Sequence, residues 1–273
     1  MTDDEGLCSI QTVKDEHPID PNHLDLKYRC RRQHAAMIMI MDEVVGNITD
    51  ALQKKGMWNQ TLMIFSSDNG GPVRLAENAA NNWPLRGGKY SNFEGGIRVA
   101  AFVSGGFIPG KLRGSCNEGL LHIADWYATL CRLAGLAPHD VRDLRAAAAG
   151  LPPVDSLDVW PMLTEGEKSP REVIPLGPDA LIWDSWKLLT EAQRPSFWQG
   201  PAFPNRSSAA SESSWAACAE GCLFDLEQDP TEQRNLYRER PDIVSRMIKR
   251  LESERAHFFE NNDLFPSSCP TSA

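Results

Sequence analysis

From Arg31 to Lys55 the residues Met37, Met41, Val44, Val45, Ile48 and Leu52 recur at mostly three- and four-residue intervals, which places them on one face of an α-helix. Gly56 follows where a C-cap glycine belongs, so the pattern predicts a helix over 31–55. The period then changes. Thr61-Leu-Met-Ile-Phe-Ser66 is a short continuous apolar run, as in a strand covered on both faces of a parallel sheet, and it stops at Ser67-Asp68-Asn69-Gly70-Gly71. Two glycines there permit a sharp turn, and in open α/β sheets ligands bind just beyond the carboxyl ends of strands. Ile97–Val103 reads as a second strand. Ile123, Trp126, Tyr127, Leu130 and Leu133 form a helical stripe that ends at Gly135.

Residues 136–180 are rich in Pro and Ala and read as a boundary between a larger unit, 29–175, and a smaller one, 176–273. The smaller unit has a strand over 180–190, a Ser/Pro/Ala loop over 191–217 and a short strand over 222–226. A helix over 241–259 closes it, with Ile243, Met247, Ile248, Leu251 and Phe258 on one face. Residues 1–28 are polar, contain Pro18 and Pro21 and show no period, so they are expected to be irregular. The expected fold class is α/β.

Composition narrows the function. The chain has 273 residues, and 28 Lys+Arg against 37 Asp+Glu give a net charge of −9, which argues against a nucleic-acid partner. The longest apolar run, Ala35–Met41, is far short of the roughly 20 residues of a spanning helix, so no membrane span is expected. The polar start Met-Thr-Asp-Asp-Glu lacks the basic and apolar stretches of a secretory leader, so no export signal is expected in the sequence as it stands. Against that stand three Asn-x-Ser/Thr sequons, at Asn47, Asn59 and Asn205, which matter only in a secreted or lysosomal glycoprotein. The seven cysteines show no metal-type pairing, and Cys218 with Cys222 fits either a small disulfide loop or two free thiols.

Two constellations carry chemistry. Asp68 beside Asn69 offers a carboxylate and a side-chain amide, oxygen ligands of the kind that hold a hard cation such as Ca2+. The same residues also make a favourable Asx turn leaving a strand. The second is Leu85-Arg86-Gly87-Gly88-Lys89 followed by Glu94-Gly95-Gly96-Ile97-Arg98. Glycines beside cations let amides and an ammonium group approach a sulfate or phosphate ester, although a solvated basic loop has the same wording.

Taken together, Asn59 to Gly71, then Asn82-Trp-Pro-Leu-Arg-Gly-Gly-Lys89, then Glu94-Gly-Gly-Ile-Arg98 resemble the second half of a sulfatase, most like the arylsulfatase B (N-acetylgalactosamine-4-sulfatase) group. The likeness extends over His34-Ala-Ala-Met37 with Met41–Asn47, Leu121-His-Ile-Ala-Asp-Trp126, Trp186-Lys-Leu-Leu189 and Leu223–Glu232 with Asn235-Leu236, spanning about residues 30 to 260 in order. It implies an alkaline-phosphatase-like fold: the C-terminal half of a large parallel-sheet domain, then a small sheet-and-helix domain. It also implies hydrolysis of sulfate monoesters, including those of sulfated sugars, in a lysosomal or secreted protein. By the same resemblance Asp68 and Asn69 are two ligands of a Ca2+ ion, and Lys89 is the catalytic, sulfate-binding lysine. His122 and Asp125 read as structural residues opening the Trp126 helix.

The family's nucleophile, a formylglycine made from Cys/Ser-x-Pro/Ala-x-Arg, has no motif here, since none of the Cys or Ser residues begins that pattern. Asp3-Asp4-Glu5-Gly6 has the wording of the family's further metal ligands but lacks a strand to present it, and His17-Pro18 only approximates a substrate-binding His-x-Pro segment. His23 and His34 read as surface residues. The Ca2+ site is therefore expected to be incomplete, and the chain inactive alone: a fragment, a truncated gene model or a pseudoenzyme. The alternatives are a non-catalytic module binding an anionic glycan or a protein, and a phosphoesterase of the same broad superfamily.

Overall fold

A computed structural model describes residues 29–73, 80–136, 147–150, 154–198 and 216–258, with side chains from Gln33 onward. Asp3, Asp4, His17, Pro18, His23 and Asn205 lie outside the described residues. No helix among the described residues is long and apolar enough to cross a membrane.

The first helix, α1 (Arg29–Lys54), matches the expected span, and Gly56 takes the left-handed φ of 69° that a C-cap glycine permits. Its apolar stripe is not a core face. Met37, Ile38, Met39, Ile40, Met41, Val44 and Ile48 are all exposed, Met39 by 72%. Strand β1 (Met63–Ser66) follows, then one helical turn, α2 (Glu94–Ile97), and strand β2 (Ala101–Ser104).

β1 and β2 pair antiparallel, Met63 opposite Ser104 and Ser66 opposite Ala101, where the sequence reading expects parallel strands covered on both faces. A continuous apolar run reports apolar surroundings and not strand direction, and here β1 is half-buried. The strand expected from Ile97 starts at Ala101. Upstream of it the donors close a helical turn, with the Ile97 N–H bonded to the Phe93 carbonyl and the Arg98 N–H to that of Glu94.

Helix α3 (Asp125–Leu133) is inverted relative to its expected stripe: Ile123, Tyr127 and Leu130 are exposed, while Asp125, Ala128 and Thr129 are buried. Polar bonding decides this. Asp125 accepts from the N–H groups of His122 (2.8 Å) and Leu157 (3.0 Å) and pairs with the buried Arg171 through the Nε and Nη2 of its guanidinium. Thr129 Oγ1 donates to the Asp125 carbonyl and accepts from the Val159 N–H. His122 Nδ1 accepts from the Ala124 N–H at 3.3 Å, so His122 and Asp125 do open the helix as expected.

The expected boundary region contains helix α4 (Trp160–Glu165) and strand β3 (Val173–Gly177), which begins the second sheet. The single strand expected over 180–190 is a hairpin, β4 (Ala180–Trp183) and β5 (Trp186–Leu189), turning at Asp184 and Ser185. With β6 (Cys222–Asp225) they form an antiparallel sheet in the order β3-β4-β5-β6. Helix α5 (Pro241–Arg255) packs Ile243, Val244, Met247 and Leu251 against Val173, Leu181, Leu188 and Leu223. The opposite face of the sheet, through Ala180, Leu189, Cys222 and Phe224, packs on Phe93. That second layer places the sheet beneath the glycine-rich segment.

Candidate functional site

β1 delivers the chain into a loop that its own polar groups shape. The Ser67 N–H donates to the Ala100 carbonyl (3.0 Å), extending the strand pairing by one step, and Ser67 Oγ donates to the Asn69 carbonyl (3.1 Å). Asp68 Oδ1 accepts from the Asn69 N–H, and Asn69 Nδ2 donates to the Gly70 carbonyl, both at 2.8 Å. Asp68 is exposed and Asn69 half-buried. Both bonds join adjacent residues, and the Gly70 N–H that an Asx turn would aim at Asp68 goes instead to the Gly96 carbonyl, so the expected Asx turn is not formed; Asp68 Oδ2 and Asn69 Oδ1 lie outside these two bonds.

Three glycine-containing segments then lock together. The Gly70 N–H donates to the Gly96 carbonyl at 2.8 Å, so closely that a Cβ on Gly70 would stand 1.7 Å from the Gly95 carbonyl oxygen. Asn82 brackets the loop: Oδ1 accepts from the Gly71 N–H (3.0 Å), and Nδ2 donates to the carbonyls of Gly71 (2.8 Å) and Gly87 (3.1 Å). The Lys89 N–H donates to the same Gly71 carbonyl at 3.1 Å, and a Cβ on Gly88 would lie 2.4 Å from it. The backbone thereby brings the Asp68-Asn69 loop and the Lys89 loop side by side. Lys89 is half-buried, with its Nζ 5.5 Å from the Tyr90 ring centroid.

Below this surface lies a buried charge cluster that sequence reasoning did not single out. Lys187 Nζ, on β5, lies 2.6 Å from Glu94 Oε1 and 2.8 Å from Glu232 Oε1, and Glu232 Oε2 accepts the Glu94 N–H at 2.7 Å. Arg86 donates to the carbonyls of Ser196 (2.8 Å) and Glu232 (3.0 Å), and its guanidinium lies over the rings of Phe93 and Trp198 at 4.1 and 4.3 Å. Burial pushes the Glu232 carboxyl up to about 7, with the Glu94 charge adding to the rise and Lys187 opposing it. Burial likewise lowers Arg86, offset by Glu232 and Asp229. The cluster ties the segment carrying Lys89 to the second sheet. A charge inside an otherwise apolar strand, Lys187 between Trp186 and Leu188, was the available signal.

Among the described residues no group of three or more His, Cys, Asp or Glu side chains is placed to hold a metal. Asp68 and Asn69 stand as a pair. Cys218 and Cys222 form a disulfide, and Cys116 and Cys131 are free.

The class of protein follows from comparison. Residues 7–136 match the family described as Sulfatase, and the chain belongs to that family. It is 34% identical to mouse (Mus musculus) arylsulfatase J over 81% of its own length and 39% of that protein's. It is 31% identical to mouse N-acetylgalactosamine-6-sulfatase, over 52% of this chain and 25% of the relative. In structure it resembles the PsFucS1 sulfatase from Pseudoalteromonas sp. with a TM-score of 0.57 and 25% identity, covering 81% of this chain and 42% of that one. The fold is the alkaline-phosphatase-like fold of the sulfatases. The chain thus spans about two fifths of the length of the arylsulfatase it matches over most of its own.

Proposed function

We propose that this chain carries part of the catalytic centre of a sulfuric ester hydrolase acting on sulfate monoesters of sugars. In this reading Lys89 binds the sulfate, and Asp68 and Asn69 supply two oxygens of a Ca2+ site. The observation that supports it is the shared Gly71 carbonyl, which joins the loop of Asp68 and Asn69 to the Lys89 backbone. The Lys89 ammonium would then meet negative charge developing on the ester oxygens as the sulfuryl group transfers, and such placed charge acts most strongly where water is excluded.

Asp68 and Asn69 fit Ca2+ in ligand type but not in number, since the ion takes roughly 6 to 8 oxygens. The ion would supply Lewis acidity toward the sulfate oxygens. The sugar class is supported by the likeness to the arylsulfatase B group and by the relative named for N-acetylgalactosamine 6-sulfate. The Cys218–Cys222 disulfide supports a lysosomal or secreted setting. A second reading of the same Lys89 loop is a sulfatase-derived module that binds anionic glycans or a protein without cleaving them.

Hydrolysis of an aryl sulfate, measured for the chain alone and combined with a matched N-terminal sulfatase half, separates the two. The chain alone should be inactive. In the restored protein Lys89→Ala should lower turnover on the order of 100-fold or more, while Lys111→Ala, at an exposed position, should change little. Equal, small effects would remove Lys89 from the site, and faster cleavage of a phosphate ester would make the enzyme a phosphoesterase.

A further inference from the structure

The Ser91 N–H donates to the Gly88 carbonyl at 3.0 Å, closing a four-residue turn whose third member is Tyr90. Tyr90 has φ 81°, the left-handed region that a type II turn gives to glycine at this position. A bulky side chain is strained there, and such strain persists only where the surroundings impose it. Here they do: Ser91 Oγ also donates to the Gly88 carbonyl (2.9 Å), and the Lys89 N–H is fixed to Gly71. Packing does not compensate, because the Tyr90 side chain is 86% exposed and its ring contact among the described residues is the Lys89 ammonium. The sequence therefore holds a large aromatic ring in the open, beside Lys89, where glycine would be the more stable residue. Trp83, next in sequence to the bracketing Asn82, is also exposed.

We propose that Tyr90 is a substrate-contacting residue that stacks its ring on the apolar face of a sulfated sugar held by Lys89, so selecting saccharide sulfates over simple sulfate. This rests on the reading of Lys89 as the sulfate contact. An aromatic face carries negative charge density, which suits both the Lys89 ammonium, over the ring at 5.5 Å from its centroid, and the C–H groups of a pyranose on the open side. A flat, rigid ring also binds at small entropic cost, since only its two side-chain torsions need be fixed.

The test titrates the full 273-residue chain by NMR with sodium sulfate, N-acetylgalactosamine 6-sulfate and 4-nitrophenyl sulfate, and records melting temperatures alongside. Tyr90→Gly should bind the sugar sulfate roughly 5- to 10-fold more weakly, leave sulfate binding unchanged and melt no lower than wild type. Tyr90→Phe, which keeps the ring, should retain sugar binding. Lys89→Ala should weaken all three probes. Unchanged sugar binding in Tyr90→Gly, with sulfate binding still dependent on Lys89, would overturn the role of Tyr90 alone. An effect confined to the nitrophenyl ester would overturn the sugar assignment. A wild-type chain that binds none of the probes, or binds them independently of Lys89, would overturn the sulfate reading together with this one. A lower melting temperature with equal losses for all probes would show that Tyr90 is merely structural.

Discussion

Lys187→Met removes an ammonium from a fully buried position while keeping most of the side-chain volume, and leaves Glu94 and Glu232 facing each other without it. Removing one partner of a buried ion pair costs about 3–5 kcal/mol, because the charge left behind is uncompensated. In a protein of this size each kcal/mol moves the melting temperature about 2–4 °C, so Lys187→Met should melt roughly 6–20 °C below wild type. The deficit should depend on pH. Glu232 is raised from 4.5 to about 7, so between those values the folded state holds a proton that the unfolded state releases. Wild-type stability from this group therefore rises as pH falls through about 7 and is fully gained near 4.5. At about 1.36 kcal/mol per unit the gain is at most about 3 kcal/mol. Without Lys187 the opposing influence is gone and the window moves upward, so the deficit should be larger near about pH 8 than near about pH 5. Calorimetric melting at both pH values measures this, with Glu232→Gln as the control that should flatten the wild-type dependence. A Lys187→Met melt within about 2 °C of wild type at both pH values, against the shift just worked out, would refute the reasoning.

Two further outcomes follow from the geometry. Gly70→Ala would drive a methyl group into the Gly95 carbonyl, so it should cost about 1–3 kcal/mol in urea unfolding and shift the NMR signals of Asp68 and Asn69; an unchanged midpoint would contradict the close approach. Because α1 exposes Met37 and Met41, the chain should associate with rising concentration, and the double variant Met37→Lys, Met41→Lys should reduce light scattering without lowering the melting temperature. A melting loss in that variant would mean that those side chains pack in a core.

The candidate site was legible because it is local. Asp68-Asn69-Gly70-Gly71 and Gly87-Gly88-Lys89 announce tight turns by composition, and close backbone approach is what glycine alone permits. What holds the two loops together was not legible in the same way. Asn82 reaches Gly71 across eleven residues, and Lys187 reaches Glu94 across ninety-three, so neither pairing leaves a periodic trace. Tyr90 was invisible for a different reason: its distinction is a backbone angle, and a lone Tyr in a polar loop carries no sign of it.

Hydrophobic period identified helices well and their buried faces poorly. α5 meets a sheet, so its apolar stripe coincides with the core and the reading of Ile243, Met247 and Leu251 holds. In α3 the stripe of Ile123, Tyr127 and Leu130 lost to two polar side chains, because Asp125 is tied to Arg171 and Thr129 to Val159, and a helix turns toward the groups that must be satisfied in the interior. α1 is the limiting case: its period fixes which face is apolar, whereas coverage depends on the elements packed against it, and nothing among the described residues covers the face of Met37, Met41 and Val44. The charge cluster obeys the complementary rule. A lysine in the middle of an apolar strand is tolerated only with carboxylates brought to it, so Lys187 within β5 required two acidic partners from distant segments, and the segment that answers with Glu94 is the one that carries Lys89.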